Sequence, residues 1–515
     1  MAAYSPNDVV QAVVADLGQG QTKMGWAGED YPKSYFRSNV AVSRKPENDV
    51  EMDTSKRPRR RPIEKVKYDF YTRPCDFPND SDGHWETMNP VEATTGLWYD
   101  YPDQGDGGAD WYDMMQLLLH HGFDSALGAR PENHPLMLVE KSFNPPPIRQ
   151  QVMECLMEEM NVPAAFLARD ATLACYGCGS SKGTVVDIGY GGTVVTPVFD
   201  GYVETKGIRK SPMGVLAMDQ AILKNLDELA KPTPFLPLYQ VRKFSRRSDA
   251  FHRLARLDVA RQARESSAGA IIAANSVENA VHAPHTPFKL PDGETVNVTS
   301  KMRLGVSDLL FGKDEISVSA REEAAAAHQR EFASLVTAAS HAEDDDAEDA
   351  KLYMELYSEA DAVGLPQRKK IREGKKRVPF SNRHLQRACV PYLQNETEYF
   401  TSEPVSAMVC DAAFRCDRDQ QAQLLGNVIL AGGGACIGPT DQAVPEMLRE
   451  QVEGIIHKHT PGWRVKVLSP GMQERAVLSW LGGSILGSLG TFHDLWVTKS
   501  EYEEWGPAIV NRKCP

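Results

Sequence analysis

Asp16-Leu17-Gly18-Gln19-Gly20 and Asp187-Ile188-Gly189-Tyr190-Gly191 decide how this chain folds. The first follows the apolar run Val9-Val10-Gln11-Ala12-Val13-Val14-Ala15 and gives way to Lys23-Met24-Gly25-Trp26; the second follows Thr184-Val185-Val186 and gives way to Thr193-Val194-Val195-Thr196. β-Branched runs interrupted by alternating glycines read as a buried strand, a tight turn and a returning strand. The two aspartates lie 171 residues apart, and the repetition predicts two lobes built on one plan.

Between the hairpins, helical spacing at Trp111 to Leu119 and Ile148 to Met160 flanks a strand-like run, Pro135-Leu136-Met137-Leu138-Val139. This is α/β alternation. A third strand, Asn427-Val428-Ile429-Leu430, enters Gly432-Gly433-Gly434 and precedes a helical pattern from Pro445 to His459. Residues 40 to 95 carry the basic run Lys56-Arg57-Pro58-Arg59-Arg60-Arg61 amid Pro, Asp and Asn, which reads as an extended surface loop. A stretch from 314 to 400 opens with a helical pattern near Arg321 to Ala338. It then carries the acidic block Glu343 to Asp349 and the basic block Arg368 to Arg377, and reads as solvated and partly disordered. The expected division is a first-lobe core in 1–39 and 96–176, with an enlarged outer loop in 40–95. A second lobe with its outer subdomain follows in 177–313, a charged insertion in 314–400, the second-lobe core in 401–494, and a C-terminal return to the first lobe in 495–515.

The 515 residues carry 57 Lys and Arg against 70 Asp and Glu, a formal charge of −13, so any nucleic-acid contact must use a local patch. Hydrophobic content of 42% and mean hydropathy of −0.41 fit a globular chain. The sequence has no apolar stretch of about 18 residues and its first residues lack the blocks of a secretory signal, which points to cytosol or nucleus. Nine cysteines, scattered, suit reduced thiols. Cys175 and Cys178 form the only close CxxC; with no second pair of ligands at comparable spacing they read as small residues near a helix end.

Glycines at alternate positions after a strand let backbone N–H groups approach an anion closely. Two such turns facing each other would grip a polyphosphate. The leading aspartates, Asp16 and Asp187, would repel unless a cation sat between them, and Mg²⁺ bound through water is the candidate. Lys23 would reach a phosphate as a point charge. The sequence contains neither GxxxxGK[ST] nor GxGxxG, which removes the P-loop and dinucleotide-fold readings.

These residues resemble the actin family: Asp16 to Gly20 with Lys23 is similar to its first phosphate loop, and Asp187 to Gly191 to its second. Ser479-Trp480-Leu481-Gly482-Gly483-Ser484-Ile485-Leu486 through Arg512-Lys513-Cys514 is similar to its C-terminal segment. Within the family, Gly25-Trp26-Ala27-Gly28-Glu29-Asp30-Tyr31-Pro32-Lys33, Lys210-Ser211-Pro212 and the ending Arg512 to Pro515 resemble the nuclear class-four actin-related proteins, subunits of chromatin-remodelling and histone acetyltransferase complexes. The resemblance implies a two-lobed α/β fold, duplicated ribonuclease-H-like lobes around a nucleotide cleft, with long inserts.

For the site, the resemblance implies that Asp16 and Asp187 organise a Mg²⁺ shell through water. Gly18, Gly20, Gly189 and Gly191 hold the phosphates of ATP with Lys23, flanked by Gln19, Gln21 and Tyr190. Gly432 and Gly433 lie near the ribose and α-phosphate. The family positions its attacking water with a Gln and a His; Asp170 and Val194 fall at those places here, so negligible hydrolysis is expected, with Asp170 as a base the alternative. Ala476-Val477 replaces a Lys and an aromatic at the adenine, so ATP is expected to bind weakly, to exchange slowly or to be absent. The implied partners are a scaffold or remodeller helix and actin. The helix would dock in a groove that includes Tyr176, Gly179, Leu486, Leu489 and Thr491; ordinary core is the competing reading for Leu486 and Leu489. Leu309-Leu310-Phe311 falls beside the family's filament-forming hydrophobic loop, where the charged stretch opposes stacking, and no homopolymer is expected. The run at Lys56 to Arg61 reads as an import signal, a DNA patch or a plain loop, and Glu343 to Asp349 as a histone contact or a solvated face. The expected setting is the nucleus; an ATP-hydrolysing cytoskeletal actin relative is the alternative.

Overall fold

The computed structural model describes residues 11–43, 67–70, 85–91, 111–230, 232–243, 249–266, 285–340, 399–438, 440–458 and 460–515. Val9, Val10, the basic run at 56–61, the acidic block at 343–349 and the basic block at 368–377 lie outside the described residues.

The chain opens with the hairpin β1 (Val13–Leu17) and β2 (Gln21–Trp26), followed by β3 (Ser34–Arg37). A small sheet of β4 (Val40–Ser43), β5 (Lys67–Phe70) and β6 (Trp85–Met88) comes next. β7 (Leu136–Glu140) and β8 (Ala164–Arg169) precede the second hairpin, β9 (Gly183–Ile188) and β10 (Thr193–Phe199). Then come β11 (Tyr202–Val203), β12 (Arg209–Ser211), the hairpin β13 (Thr286–Lys289) and β14 (Thr295–Val298), β15 (Val428–Ala431), β16 (Val467–Leu468) and β17 (Val497–Thr498).

Two sheets dominate. The first runs β17-β8-β7-β1-β2-β3 and the second β11-β10-β9-β15-β16, with β12 on β10. Each is built around an antiparallel hairpin with a parallel strand on its inner side: β7 beside β1, with Asp16 opposite Val139, and β15 beside β9, with Asp187 opposite Ala431. The repeated sequence thus produces a repeated local architecture. β7 is buried at every position, as a parallel strand covered on both faces must be. The last strand, β17, pairs with β8, and Cys514 is fully buried in the first core.

Four helices frame the space between the sheets: α1 (Asp170–Gly177), α2 (Val215–Leu229), α3 (Asp249–Glu265) and α4 (Leu478–Ser488). α1 and α4 cross at close range because Gly482 has no side chain; a Cβ there would overlap the Leu173 carbonyl. Trp480, beside it, is fully buried and donates its indole N–H to the Val14 carbonyl at 3.0 Å, tying α4 to β1.

Several expected elements shift. The helix expected to end at Met160 is α-helical only over Pro146–Glu154 and continues as a π-turn over Cys155–Glu159. Leu310 and Phe311 are buried in the second core at the end of the helix Ser300–Phe311, not displayed on a loop. The helix Glu315–Ser340 starts before Arg321. Near its start, buried Arg321 donates to the carbonyls of Ser402, Asp308, Leu309 and Gly312. No helix among the described residues is long and apolar enough to cross a membrane.

Candidate functional site

The two hairpin turns face a common cavity of about 470 Å³ between the sheets, within the roughly 300–1,000 Å³ typical of small-molecule sites. Its wall includes Asp16, Gly18, Gln19, Gly20, Gln21 and Lys23 from the first hairpin, Asp187, Gly189, Tyr190 and Gly191 from the second, and Gly432 and Gly433 after β15.

Carbonyls of both turns are anchored by hydrogen bonds. Ser38 donates its hydroxyl to the Gly18 carbonyl, and Asn89 its amide to that of Gln19. At the second turn the first amides of α2 take the carbonyls: Val215 donates to Gly189 at 3.0 Å and Leu216 to Tyr190 at 2.8 Å. One amide that the family resemblance assigns to the phosphates is already used: Gly189 donates to Gly192 at 2.9 Å; Gly432, expected near the ribose and α-phosphate, donates to Arg475 at 3.0 Å. The turns also touch directly, because the Tyr190 ring lies against Gly20.

The aspartates do converge, but on lysines. Lys23 lies 2.7 Å from Asp16. Lys141, immediately after β7, lies 3.0 Å from both Asp170 and Asp187. Burial works against both ammonium groups. Asp16 with Tyr35 and Asp187 outweighs it at Lys23, and Asp187, Asp170 and Asp16 outweigh it at Lys141, so both are held above the ordinary lysine range. The first hairpin's lysine therefore pairs with its own loop aspartate instead of reaching outward. Among the described residues, no three His, Cys, Asp or Glu side chains assemble as a metal-binding group. With an ammonium already on each loop aspartate, the residues present do not fit a divalent ion held at Asp16 and Asp187.

The positions expected to orient a water also line the cavity. Asp170 is committed on both oxygens: Oδ1 accepts from the Ser142 amide, the Ser142 hydroxyl and the Ala171 amide, and Oδ2 faces Lys141. Val194 stands opposite Asp187 on the β9–β10 ladder and has no group that exchanges a proton. At the adenine end Ala476 is in the wall, whereas Val477 is buried in the core. Arg475 is fully buried and donates to the carbonyls of Ala435, Asp441 and Pro470.

The sequence reading missed Lys141, Lys210 and a pair across the cleft. The signal for Lys141 was its place at the carboxyl end of a buried parallel strand, where α/β sheets put their sites. Lys210 is buried in the wall with its ammonium 3.6 Å from the Phe143 ring centre and 4.8 Å from that of Phe400. Arg37, at the end of β3, is paired with Asp258 of α3. Nothing local in the sequence joins positions so far apart.

Of the groove residues, Tyr176 and Leu486 pack partly buried on the first core, Tyr176 with its hydroxyl against Gly201. Gly179 adopts a left-handed backbone, and a Cβ there would meet no neighbour. Leu489 is 47% exposed and Thr491 is exposed. Ile485 and Leu495, near Leu486 to Thr491 in sequence, are also exposed. Cys175 is buried in α1 and Cys178 donates its backbone N–H at the helix end, both as free thiols.

A duplicated hairpin-and-parallel-strand plan, with two glycine turns walling one cavity, defines the class of two-lobed cleft proteins. The actin family model matches residues 7–515, and the chain belongs to the actin family. It is 26% identical to Actin-related protein 4 of Oryza sativa subsp. indica, and likewise to that of Arabidopsis thaliana, in each case over 99% of both chains. The Actin-related protein 4 of Emericella nidulans is also 26% identical, over 100% of this chain and 98% of its own.

Proposed function

We propose that this protein is a non-catalytic actin-related subunit of a nuclear chromatin-remodelling or histone acetyltransferase complex. It holds ATP as a structural ligand, or none, and docks a helix of the complex scaffold beside actin. The observation that carries the non-catalytic part is Asp170. At the place where the family keeps a side chain to orient water, this chain has a carboxylate engaged by Ser142, Ala171 and Lys141. Its partner position is the inert Val194. Three donors on Oδ1 and the Lys141 ammonium on Oδ2 tie this carboxylate to groups of its own lobe, which leaves it poorly placed to orient a nucleophilic water. The two glycine turns that wall one cavity support retention of the phosphates. Exposed Leu489 and half-buried Leu486 and Tyr176 support a helix-binding groove. The class-four likeness at Gly25 to Lys33, together with full-length similarity to relatives named Actin-related protein 4, supports the nuclear setting.

Affinity purification of the full chain from native extract tests the assignment: chromatin-complex subunits and actin are expected, and recovery with cytoskeletal partners alone overturns it. Single-turnover measurements with Mg-ATP test the chemistry. Phosphate release at a rate approaching that of actin contradicts the non-catalytic reading. Ordered polymers in a sedimentation assay contradict the expectation that the chain works as a single subunit.

A further inference from the structure

We propose that the Lys141 ammonium takes the place of a divalent cation in this cleft, joining the two halves of the protein through Asp170 and Asp187 so that closure needs no metal ion. Lys141 leaves the carboxyl end of β7 in the first sheet; Asp187 is on β9 of the second. Their 3.0 Å contact therefore spans the cleft, while the equal contact to Asp170 fixes the lysine on its own side. The parallel register explains the placement. Val139 lies opposite Ala168 and Glu140 opposite Arg169, so the next residues, Lys141 and Asp170, emerge side by side at the sheet end.

Charge supports the substitution. A cluster of Asp16, Asp170 and Asp187 needs neutralising, and Lys23 and Lys141 supply one positive charge each at hydrogen-bond distance. A doubly charged ion brought to the same carboxylates would stand against two ammonium groups and would have to displace them. The second link across the cleft is likewise internal: Arg37 of β3 pairs with Asp258 of α3. The Tyr190 ring against Gly20 adds an uncharged contact between the two turns. The whole device is made of the chain's own side chains. This inference concerns how the cleft is held and does not rest on the complex in which the protein works.

The test uses the full chain and Mg²⁺ alone as the probe, followed by thermal unfolding and by isothermal calorimetry. For the wild type, the expected result is no heat of binding at millimolar Mg²⁺ and a melting temperature unmoved by Mg²⁺ or by EDTA. Lys141→Met removes the charge and keeps the side chain's length, leaving Asp170 and Asp187 facing each other. It is expected to melt lower than wild type without metal and to gain a Mg²⁺-dependent rise in melting temperature, since a ligand bound only by the folded state raises stability. Lys141→Arg keeps the charge and is expected to stay indifferent to Mg²⁺. Specific Mg²⁺ binding by the wild type overturns the proposal even if Lys141→Met fails to fold, and so does a folded Lys141→Met that ignores the ion. Neither result bears on which partners copurify, so failure here and failure of the scaffold assignment are separable.

Discussion

Replacing Gly432 by alanine separates the architecture of the cleft from its ligand chemistry. Gly432 has φ +91°, and a Cβ there would sit roughly 1 Å inside the 3.4 Å at which ordinary contact begins, against both the Asp187 carboxylate and the Ile188 carbonyl. The left-handed backbone alone costs an L-residue about 1–2 kcal/mol. Overpacking against a backbone carbonyl that cannot rotate away adds about 1–3 kcal/mol. Together these give a loss of about 2–5 kcal/mol, or on the order of 2–5 °C in melting temperature for a chain of this size. Gly433 is the internal control. It lines the same cavity, yet a Cβ there meets nothing within 4 Å, so Gly433→Ala is expected to change stability by under about 0.5 kcal/mol. If ATP is the resident ligand, Gly433→Ala weakens its retention while leaving the fold intact, whereas Gly432→Ala loses both. Thermal melts of the two variants and nucleotide content after gentle purification are the measurements. Equal melting temperatures for Gly432→Ala and the wild type would refute the packing argument, as would equal damage from both substitutions.

Three further outcomes follow from buried charge and capping. Burial, together with neighbouring Asp314, pushes the Asp308 carboxyl up to about 6, outweighing Arg321. Between its ordinary range and about pH 6 the folded state binds the extra proton, so stability falls as pH rises through that window. Asp308→Asn is expected to flatten this slope in urea titrations and to stabilise at pH 7 by about 1 kcal/mol after allowance for screening; an unchanged slope refutes it. Arg149 lies 2.7 Å from Glu140, both buried, and also donates to the Cys514 carbonyl. Arg149→Met strands that carboxylate and should cost about 3–5 kcal/mol in a denaturation series, while the double variant with Glu140→Gln recovers part of the loss; a double variant no more stable than the single one counts against it. Thr498 and Glu501 form a capping box at the start of the helix Lys499–Trp505, and Thr498→Ala should cost about 1 kcal/mol by the same assay, a result contradicted by an unchanged midpoint.

The local pattern carried far. The strand, Asp, glycine-turn, strand sequence at Asp16 and again at Asp187 was legible because both halves of each hairpin are adjacent in sequence and their turn chemistry is local. Ser479-Trp480-Leu481-Gly482-Gly483 was legible as a family signature, and the structure supplies its reason: Trp480 bonds to β1 and Gly482 lets α1 approach. Boundaries were less legible. The helix after Pro146 changes to a π-turn, and Arg321 ties the helix Glu315–Ser340 into the second lobe through tertiary contacts that periodicity does not encode.

By itself the sequence determined that the chain makes two hairpins of one kind and that glycines shape the walls of a shared cleft; that Asp170 and Val194 fall where the family keeps its water-orienting side chains came from the family resemblance. It could not determine which cation meets the aspartates. Lys141 follows an unremarkable apolar strand, and Asp170 and Asp187 lie 29 and 46 residues further along. Their meeting is set by the parallel register of β7 with β8 and by the approach of the second sheet to the first. An ion pair depends on distance in space, which only the folded chain defines, whereas a turn is written in consecutive residues.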